Sequence, residues 1–374
     1  MLSTKKPTHY WTFAVFSLLL LLFLIFKPQA QQGTETHQRA TSASPNSTKI
    51  VIAVPDLSAG KNSSSANIVV DYLYTHKILE QEFAKDHIQV EWKFFKGAGP
   101  AINEALANKQ LDFAFLGDLA AIIGKANGLD TRLIAAMGRG TDVYLGVLKG
   151  HNYQSLEQLK GKRIAVWQGT AFQLSFAQFI ESQGYKRSDF RIVNLDIPAT
   201  NAALASKQID AGWGIIPMLA LQKQGLIDIP FSTRDTQDGR GAILSGLVAR
   251  NDFLQQNPAL SQRLVNAVLK AYAWTADEKN RQVAIQLVTK NANYPNDLYQ
   301  RYLEGIALGQ IYQPRLDAAY LQQLQRSVDA AAAAQLIHQP FQVSQWADTS
   351  WVERAWTELS AEQQIAAVKT GVQQ

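Results

Sequence analysis

The sequence predicts an α/β protein made of two similar lobes, each a mixed sheet flanked by helices. Two segments, PAINEALANKQLDFAF (100–115) and PATNAALASKQIDAGW (198–213), share the pattern PAxNxALAxKQxD. Each segment predicts an Ala/Leu-rich helix, a Lys-Gln break and a short apolar strand that begins at Asp. Short β-branched runs also alternate with helical periods along the chain, which is typical of βαβ units.

Composition is consistent with this architecture. The chain has 374 residues, 47% hydrophobic and 18% charged, which is enough for two cores. Its Lys and Arg residues (36) exceed its Asp and Glu residues (31), but they are scattered. Because nucleic-acid binding needs a basic patch or stripe, no nucleic-acid partner is expected, whereas a small anionic ligand is compatible with the charge. The absence of Cys excludes disulfides, a lipid-modified cysteine and a thiolate metal site.

Residues 1–30 are expected to be a targeting element, and residues 31–48 a flexible linker. An apolar run (10–26) lies between Lys6 and Lys27. A secretory core has roughly 7–15 apolar residues and a spanning helix about 20, so the run fits either a cleaved signal peptide or an uncleaved anchor. In both interpretations the basic flank stays in the cytoplasm. The body is therefore expected in the periplasm, either secreted or anchored to the inner membrane.

The first predicted strand is the β-branched run 49–54, which Pro55 ends. Continuous runs of this kind are typical of strands that are buried on both faces. Later runs predict strands at 88–95, 111–115, 132–137, 163–167, 191–195 and 243–249, and helices at 67–83, 119–126, 172–183, 258–287, 296–308 and 316–336.

The order of the lobes, the repeated unit and the segment SLEQLKGKRIAVWQGTA (155–171) resemble the solute-binding proteins of ABC importers for sulfonates, taurine and nitrate. The resemblance covers residues 49–340 and implies a type II periplasmic-binding-protein clamp. It assigns 49–141 to lobe one, 142–242 to lobe two, 243–340 to the return into lobe one, and 341–374 to a C-terminal tail. It also implies a monomer that binds a small anionic organic ligand between the lobes and delivers it to an ABC permease in the inner membrane.

The turn Gln168-Gly169-Thr170-Ala171 is the strongest candidate for anion binding. It joins a predicted strand to a predicted helix, and unpaired N–H groups at a helix start attract anions. Gly169 allows close backbone approach, while the Gln168 amide and the Thr170 hydroxyl can donate hydrogen bonds. A plain turn that Thr170 caps is the alternative.

The two repeats end in loops that the resemblance places at the cleft. Gly117 can leave room for a ligand. Asp118 can cap the next helix or accept a hydrogen bond from a ligand amine. Trp213 can pack on the organic group of a ligand, and core packing is the alternative.

Cationic and hydroxyl candidates lie near the two crossings between lobes. Arg240 can bind two oxygens of a sulfonate or sulfate group, or can be a solvated loop residue. Arg139 is the competing cation. Further hydroxyl candidates are Thr141 and Ser245 at the crossings, and Ser58 and Ser64 in the first loop.

No enzymatic activity is predicted. The six histidines show no pair at metal-ligand spacing, and hydrolase, metalloprotease, Walker and dinucleotide motifs are absent. Neither a metal nor a cofactor is expected. The predicted ligand is an organic sulfonate or sulfate ester. The alternatives are nitrate, an aminopyrimidine, or a membrane-anchored domain that senses such a ligand.

Overall fold

The strands form two separate sheets in the computed structural model, which describes residues 48–236 and 238–359. The predicted targeting element and nearly all of the predicted linker lie outside the described residues. All of the described residues belong to one compact unit. The strands are β1 (Lys49–Pro55), β2 (Gln89–Phe95), β3 (Phe113–Gly117), β4 (Thr131–Thr141), β5 (Tyr144–Leu148), β6 (Arg163–Ala165), β7 (Arg191–Val193), β8 (Ala211–Gly214), β9 (Ile227–Ser232) and β10 (Ile243–Arg250).

The two sheets have the same topology. The first has the strand order β2-β1-β3-β10-β4 and the second has the order β7-β6-β8-β5-β9. In each sheet three neighbouring strands run parallel, and the strand at the fourth position pairs antiparallel with both of its neighbours. The predicted α/β fold with two mixed sheets is therefore confirmed. Lobe one contains the first sheet and lobe two the second.

Helices cover both sheets. The described residues form α1 (Ile68–Thr75), α2 (Ile78–Phe83), α3 (Ala98–Ala107), α4 (Asp118–Ala126), α5 (Ala171–Ser182), α6 (Ile197–Ala205), α7 (Ile216–Lys223), α8 (Asn251–Gln256), α9 (Pro258–Ala276), α10 (Arg281–Ala292), α11 (Asn296–Tyr302), α12 (Leu308–Ile311), α13 (Ala318–Ala333), α14 (Val343–Trp346) and α15 (Ser350–Glu358). No helix among them is long and apolar enough to span a membrane.

The repeated segment builds the same unit in both lobes. Its helix is α3 in lobe one and α6 in lobe two, and its strand is β3 or β8. The Lys of each Lys-Gln break has a positive φ, +54° at Lys109 and +61° at Lys207, which ends the helix. The repeated Asp then accepts a backbone N–H of the lobe's first parallel strand, at 2.8 Å in both copies. The shared residues therefore fix the position of a central strand.

Two of the differences from the predicted elements have different causes, one local and one tertiary. The single helix predicted for 67–83 is two helices, because Lys77 adopts the left-handed conformation with φ +52°. The antiparallel strands β5 and β9 lie in segments for which the sequence predicted no strand. These two strands depend on tertiary pairing, since β5 pairs with β8 on one side and with β9 on the other.

The chain passes between the sheets twice, and the two crossing segments are bonded to each other. The first lies between β4 and β5, and the second between β9 and β10. Arg234 in the second donates from Nε to Asp142 Oδ2 in the first at 2.5 Å. The Asp142 N–H donates to the Tyr302 hydroxyl at 3.2 Å, and Arg234 also donates to the Tyr302 carbonyl. Helix α11 is thereby attached to both crossings.

Helices α14 and α15 pack on the first sheet. The indole N–H of Trp346 donates to the Thr131 hydroxyl at 3.3 Å, and Ala347 forms an isolated parallel bridge with Leu133 of β4. Trp346 and Val352 are fully buried. Residues 341–359 therefore complete the core of lobe one.

Candidate functional site

A cavity of about 160 Å³ lies between the lobes. Its walls are mostly apolar and include Leu57, Leu116, Met137, Trp167, Phe172, Ile215, Ile243 and Ile311. Its polar lining consists of Ser65, Asn67, Thr141, Thr170, Ser245, Tyr299, Tyr302 and Tyr312. None of the described residues that line it is Lys, Arg, His, Asp or Glu. Any charge on a ligand must therefore be met by dipoles and hydrogen bonds.

Five of the described helices begin at the wall of this cavity. The lining contains the N-terminal residues of α1, α3, α4, α5 and α7: Asn67, Ala98, Gly99, Gly117, Thr170, Ala171, Phe172, Ile215 and Ile216. A helix start carries a positive partial charge and unpaired N–H groups. Helix starts at this wall therefore favour an anion, although no described lining residue is a cation.

The start of α5 provides the clearest donors. The Gly169 N–H donates to Gln173 Oε1 at 2.7 Å, and the Gln168 N–H to Asn194 Oδ1 at 2.9 Å. The Thr170 hydroxyl donates to the Trp167 carbonyl at 2.7 Å. These groups therefore build the turn. The N–H groups of Ala171 and Phe172 have no acceptor within the described part of the chain, and both residues line the cavity.

Five of the predicted site residues line the cavity: Gly117, Thr141, Thr170, Ala171 and Ser245. Seven lie outside its lining: Ser58, Ser64, Asp118, Gln168, Gly169, Trp213 and Arg240. The structure thus brings the indicated strand ends and crossing segments together at the cavity. Several of their side chains nevertheless do not line it.

Asp118 lies behind the cavity wall, in the first turn of α4. Its carboxylate accepts the Leu119 N–H at 2.7 Å and the Ser327 hydroxyl at 3.3 Å. Burial raises the pKa of Asp118 to about 7. Asp118 is the first residue of α4, whose N-cap is Gly117, so its carboxylate bonds within the first turn and does not line the cavity.

Trp213 packs in the core of lobe two and is 3% exposed. Its indole N–H donates to the Ser175 hydroxyl at 3.1 Å, and its ring stacks on Phe179 with centroids 4.9 Å apart. The Ser175 hydroxyl in turn donates to the Gly241 carbonyl. Trp213 therefore supports the second crossing segment and does not face the cavity.

The two candidate arginines are paired outside the cavity. Arg240 is exposed and its Nε lies 2.7 Å from Asp238 Oδ2, two residues away in the same loop. Arg139 pairs with Asp317 at 2.9 Å. Arg240 lies in a loop and Arg139 in β4, and neither lines the cavity.

The two serine candidates belong to a buried network in the first loop. The Ser58 hydroxyl accepts from Lys96 Nζ at 3.0 Å, and the Ser64 hydroxyl donates to Asp71. Asp71 also accepts the Ser65 N–H at 3.0 Å, and burial raises the pKa of Asp71 to about 6. This network holds the loop that places Ser65 and Asn67 at the cavity.

Sequence reasoning missed the tyrosines at one end of the cavity. Tyr299 and Tyr302 lie on α11, and Tyr312 follows α12. Tyr302 accepts the Asp142 N–H, and its own hydroxyl proton has no acceptor among the described residues. The three-residue spacing of Tyr299 and Tyr302 indicated a shared helix face, but nothing in the sequence placed that face at the cleft.

A metal centre is not formed in the described region. Within residues 48–236 and 238–359, no three His, Asp or Glu side chains are grouped to hold a metal ion.

Comparison with known proteins agrees with this fold. The family model described as NMT1/THI5 like matches residues 83–281. The taurine-binding periplasmic protein of Escherichia coli (strain K12) is 30% identical over 198 residues, 51% of this chain and 59% of the relative. The chain spans about half the length of the curated relatives it matches.

Solved structures share the arrangement of both lobes. The periplasmic sulfonate-binding protein SsuA from Methylobacillus flagellatus KT superposes with a TM-score of 0.71 at 30% identity, over 84% of this chain and 95% of that chain. The desulfurization enzyme DSZB superposes with a TM-score of 0.60 at 18% identity, over 83% of this chain and 99% of that chain, a likeness of fold alone. The fold therefore also carries an enzyme, although the more similar relatives are transport binding proteins. The chain belongs to the NMT1/THI5-like family of periplasmic solute-binding proteins of ABC importers.

Proposed function

We propose that the protein is the periplasmic substrate-binding component of an ABC importer that takes up an organic sulfonate or sulfate ester. The observation that carries this proposal is an uncharged, largely apolar cavity at which five helices begin. Family membership and the similarity to sulfonate- and taurine-binding proteins support it. A membrane permease would receive the ligand.

The head of the ligand is assigned to the start of α5. The free N–H groups of Ala171 and Phe172 can donate to oxyanion oxygens, and the helix dipole stabilises the charge. The Tyr302 hydroxyl provides a further donor at the cavity wall. Hydrogen bonds of this kind to an ionised group contribute about 1.5–3 kcal/mol each.

The organic group of the ligand is proposed to be apolar and to lack an amine. No described lining residue carries a carboxylate that could accept from an ammonium, and the carboxyl of Asp118 is bonded to Leu119 and Ser327. The positive ends of the helices also disfavour a cation. The cavity of about 160 Å³ is close to the volume of about 150 Å³ that accepts benzene in an engineered apolar cavity.

Closure of the clamp follows from the two-sided lining. Lobe one contributes residues such as Gly117 and Ser245, and lobe two contributes Thr170 to Phe172 and Ile215. A ligand that touches both sets binds the closed state more tightly than the open state, so it shifts the population towards closure.

Thermal unfolding of the full chain with a panel of compounds tests the proposal. Pentanesulfonate at a hundredfold excess over its Kd should raise Tm by roughly 5 °C, while taurine, nitrate and an aminopyrimidine should have smaller effects. Tyr302→Phe should weaken binding of pentanesulfonate about tenfold. The matched variant Tyr144→Phe, whose side chain does not line the cavity, should not.

Other outcomes of the panel would redirect the assignment. A shift with the aminopyrimidine alone, or with nitrate alone, would identify one of the alternative ligands. A folded protein that responds to no compound in the panel would contradict the importer assignment.

A further inference from the structure

The lobes come close together where a glycine of lobe one faces an alanine of lobe two. Gly117 precedes α4 in lobe one, and Ala171 begins α5 in lobe two. A Cβ atom at position 117 would lie 2.7 Å from the Ala171 Cβ. Its next two neighbours, at 3.9 Å, would be the Cα and N of the same alanine. A methyl group at position 117 would therefore meet Ala171 of lobe two first.

Backbone conformation does not require glycine at this position. Gly117 has φ −68° and ψ 155°, values that any residue adopts. Gly169 differs, because its φ of +73° favours glycine in either state of the clamp. Gly99 differs too, because a Cβ there would lie 2.3 Å from the Ala120 Cβ within lobe one. A Cβ at Gly169 would also lie 2.8 Å from Pro100 Cγ of lobe one. Of these three glycines, Gly117 is therefore the one for which contact with the other lobe is the sole reason.

We propose that Gly117 and Ala171 form a closure pair, in which a hydrogen at position 117 sets the distance to which the lobes can approach. Non-bonded carbon atoms pack at about 3.5–4.0 Å, so a methyl group at 117 would hold the two helix starts apart by about an ångström. Because both residues line the cavity, that gap would open the ligand site. The inference concerns closure itself and does not depend on which ligand binds.

The absence of Cys permits a direct test in the full chain without any ligand. Lys223 of α7 in lobe two and Asp297 of α11 in lobe one form an ion pair with Nζ and Oδ2 2.5 Å apart, on exposed surface. Lys223→Cys together with Asp297→Cys places one thiol on each lobe. A short bifunctional methanethiosulfonate then cross-links the two thiols when the lobes are closed. We call this reaction capture, and mass spectrometry measures its rate.

Gly117→Ala in this background should slow capture about tenfold or more, as expected when a methyl is forced into a filled contact. Ala171→Gly in addition should restore the rate, because it removes the opposing methyl. Gly124→Ala is the matched control: its new Cβ would contact Asn103 and Leu129, both within lobe one, so the capture rate should not change.

Three results would overturn the closure pair. The first is capture of Gly117→Ala as fast as that of the double-cysteine protein without it. The second is that adding Ala171→Gly does not restore the slowed rate. The third is that the double-cysteine protein itself is not captured. If Gly117→Ala does not fold, Ala171→Val approaches the same contact from lobe two and should slow capture as well. Since no ligand is present, these outcomes are independent of the compound panel.

Discussion

Two buried carboxyl groups in lobe one accept hydrogen bonds that favour ionisation but do not offset the effect of burial. Asp71 accepts hydrogen bonds from Ser64 and Ser65, and Asp118 accepts from Leu119 and Ser327. Burial nevertheless raises the pKa of Asp71 to about 6 and that of Asp118 to about 7. Desolvation therefore outweighs the hydrogen bonds at both sites.

A raised carboxyl pKa means that the folded protein binds the proton more tightly than the unfolded chain does. The stabilisation from Asp118 is therefore complete below its ordinary pKa of 3.8 and is lost as pH rises towards about 7. Between these values the loss is about 1.4 kcal/mol per pH unit. We therefore expect the unfolding free energy of wild type minus that of Asp118→Asn to decrease as pH rises from 3.8 to about 7.

Urea unfolding at a series of pH values measures that difference. Asp238→Asn is the control, since Asp238 is exposed, its pKa is lowered, and it should not reproduce the fall between pH 4 and 7. A difference between wild type and Asp118→Asn that is independent of pH would contradict the buried-carboxyl interpretation.

At the scale of elements, the two crossing segments act as one bonded unit. Asp142 accepts from Thr233 and Arg234, and the Arg234 guanidinium lies 5.5 Å from the centre of the Tyr302 ring. Tyr302 of α11, which is bonded to both crossing segments, also lines the cavity.

Arg234→Gln should destabilise the protein by about 1–3 kcal/mol, because it leaves the buried Asp142 carboxylate without its charged partner. Arg240→Gln provides a matched control from the same segment. Arg240 and Asp238 are each about half exposed, so their pair should contribute under about 1 kcal/mol. Urea unfolding at neutral pH compares the two variants, and equal losses would contradict the assigned role of Arg234.

Sequence pattern was sufficient for elements whose local signal is strong. The β-branched run of β1 and the two copies of the repeat have the predicted form, and Thr170 and Ala171 of the predicted turn line the cavity. The antiparallel strands β5 and β9 escaped prediction because their pairing depends on residues distant in the chain. For Arg240 and Trp213 the sequence left two roles open, because a salt bridge within the loop fixes the orientation of Arg240 and a core contact fixes that of Trp213.

At the scale of the whole molecule, the two lobes enclose a cavity whose described lining contains helix starts but no charged side chain. Helix starts from both lobes contribute N–H donors to the lining, and apolar side chains form much of the remaining surface. Such a site should select a ligand with one compact anionic head and an apolar body. Each methylene of that body should add about 0.8 kcal/mol, close to fourfold in affinity, until the cavity is filled.

Calorimetric titration of the full chain with three compounds of equal chain length tests this claim most directly. The compounds are pentanesulfonate, its neutral analogue pentanesulfonamide, and pentylammonium. We expect pentanesulfonate to bind at least about tenfold more tightly than the sulfonamide, a difference of about 1.4 kcal/mol, and pentylammonium not to bind. Equal affinity for the anion and the neutral analogue, or tighter binding of the cation, would contradict an anion site built from helix starts.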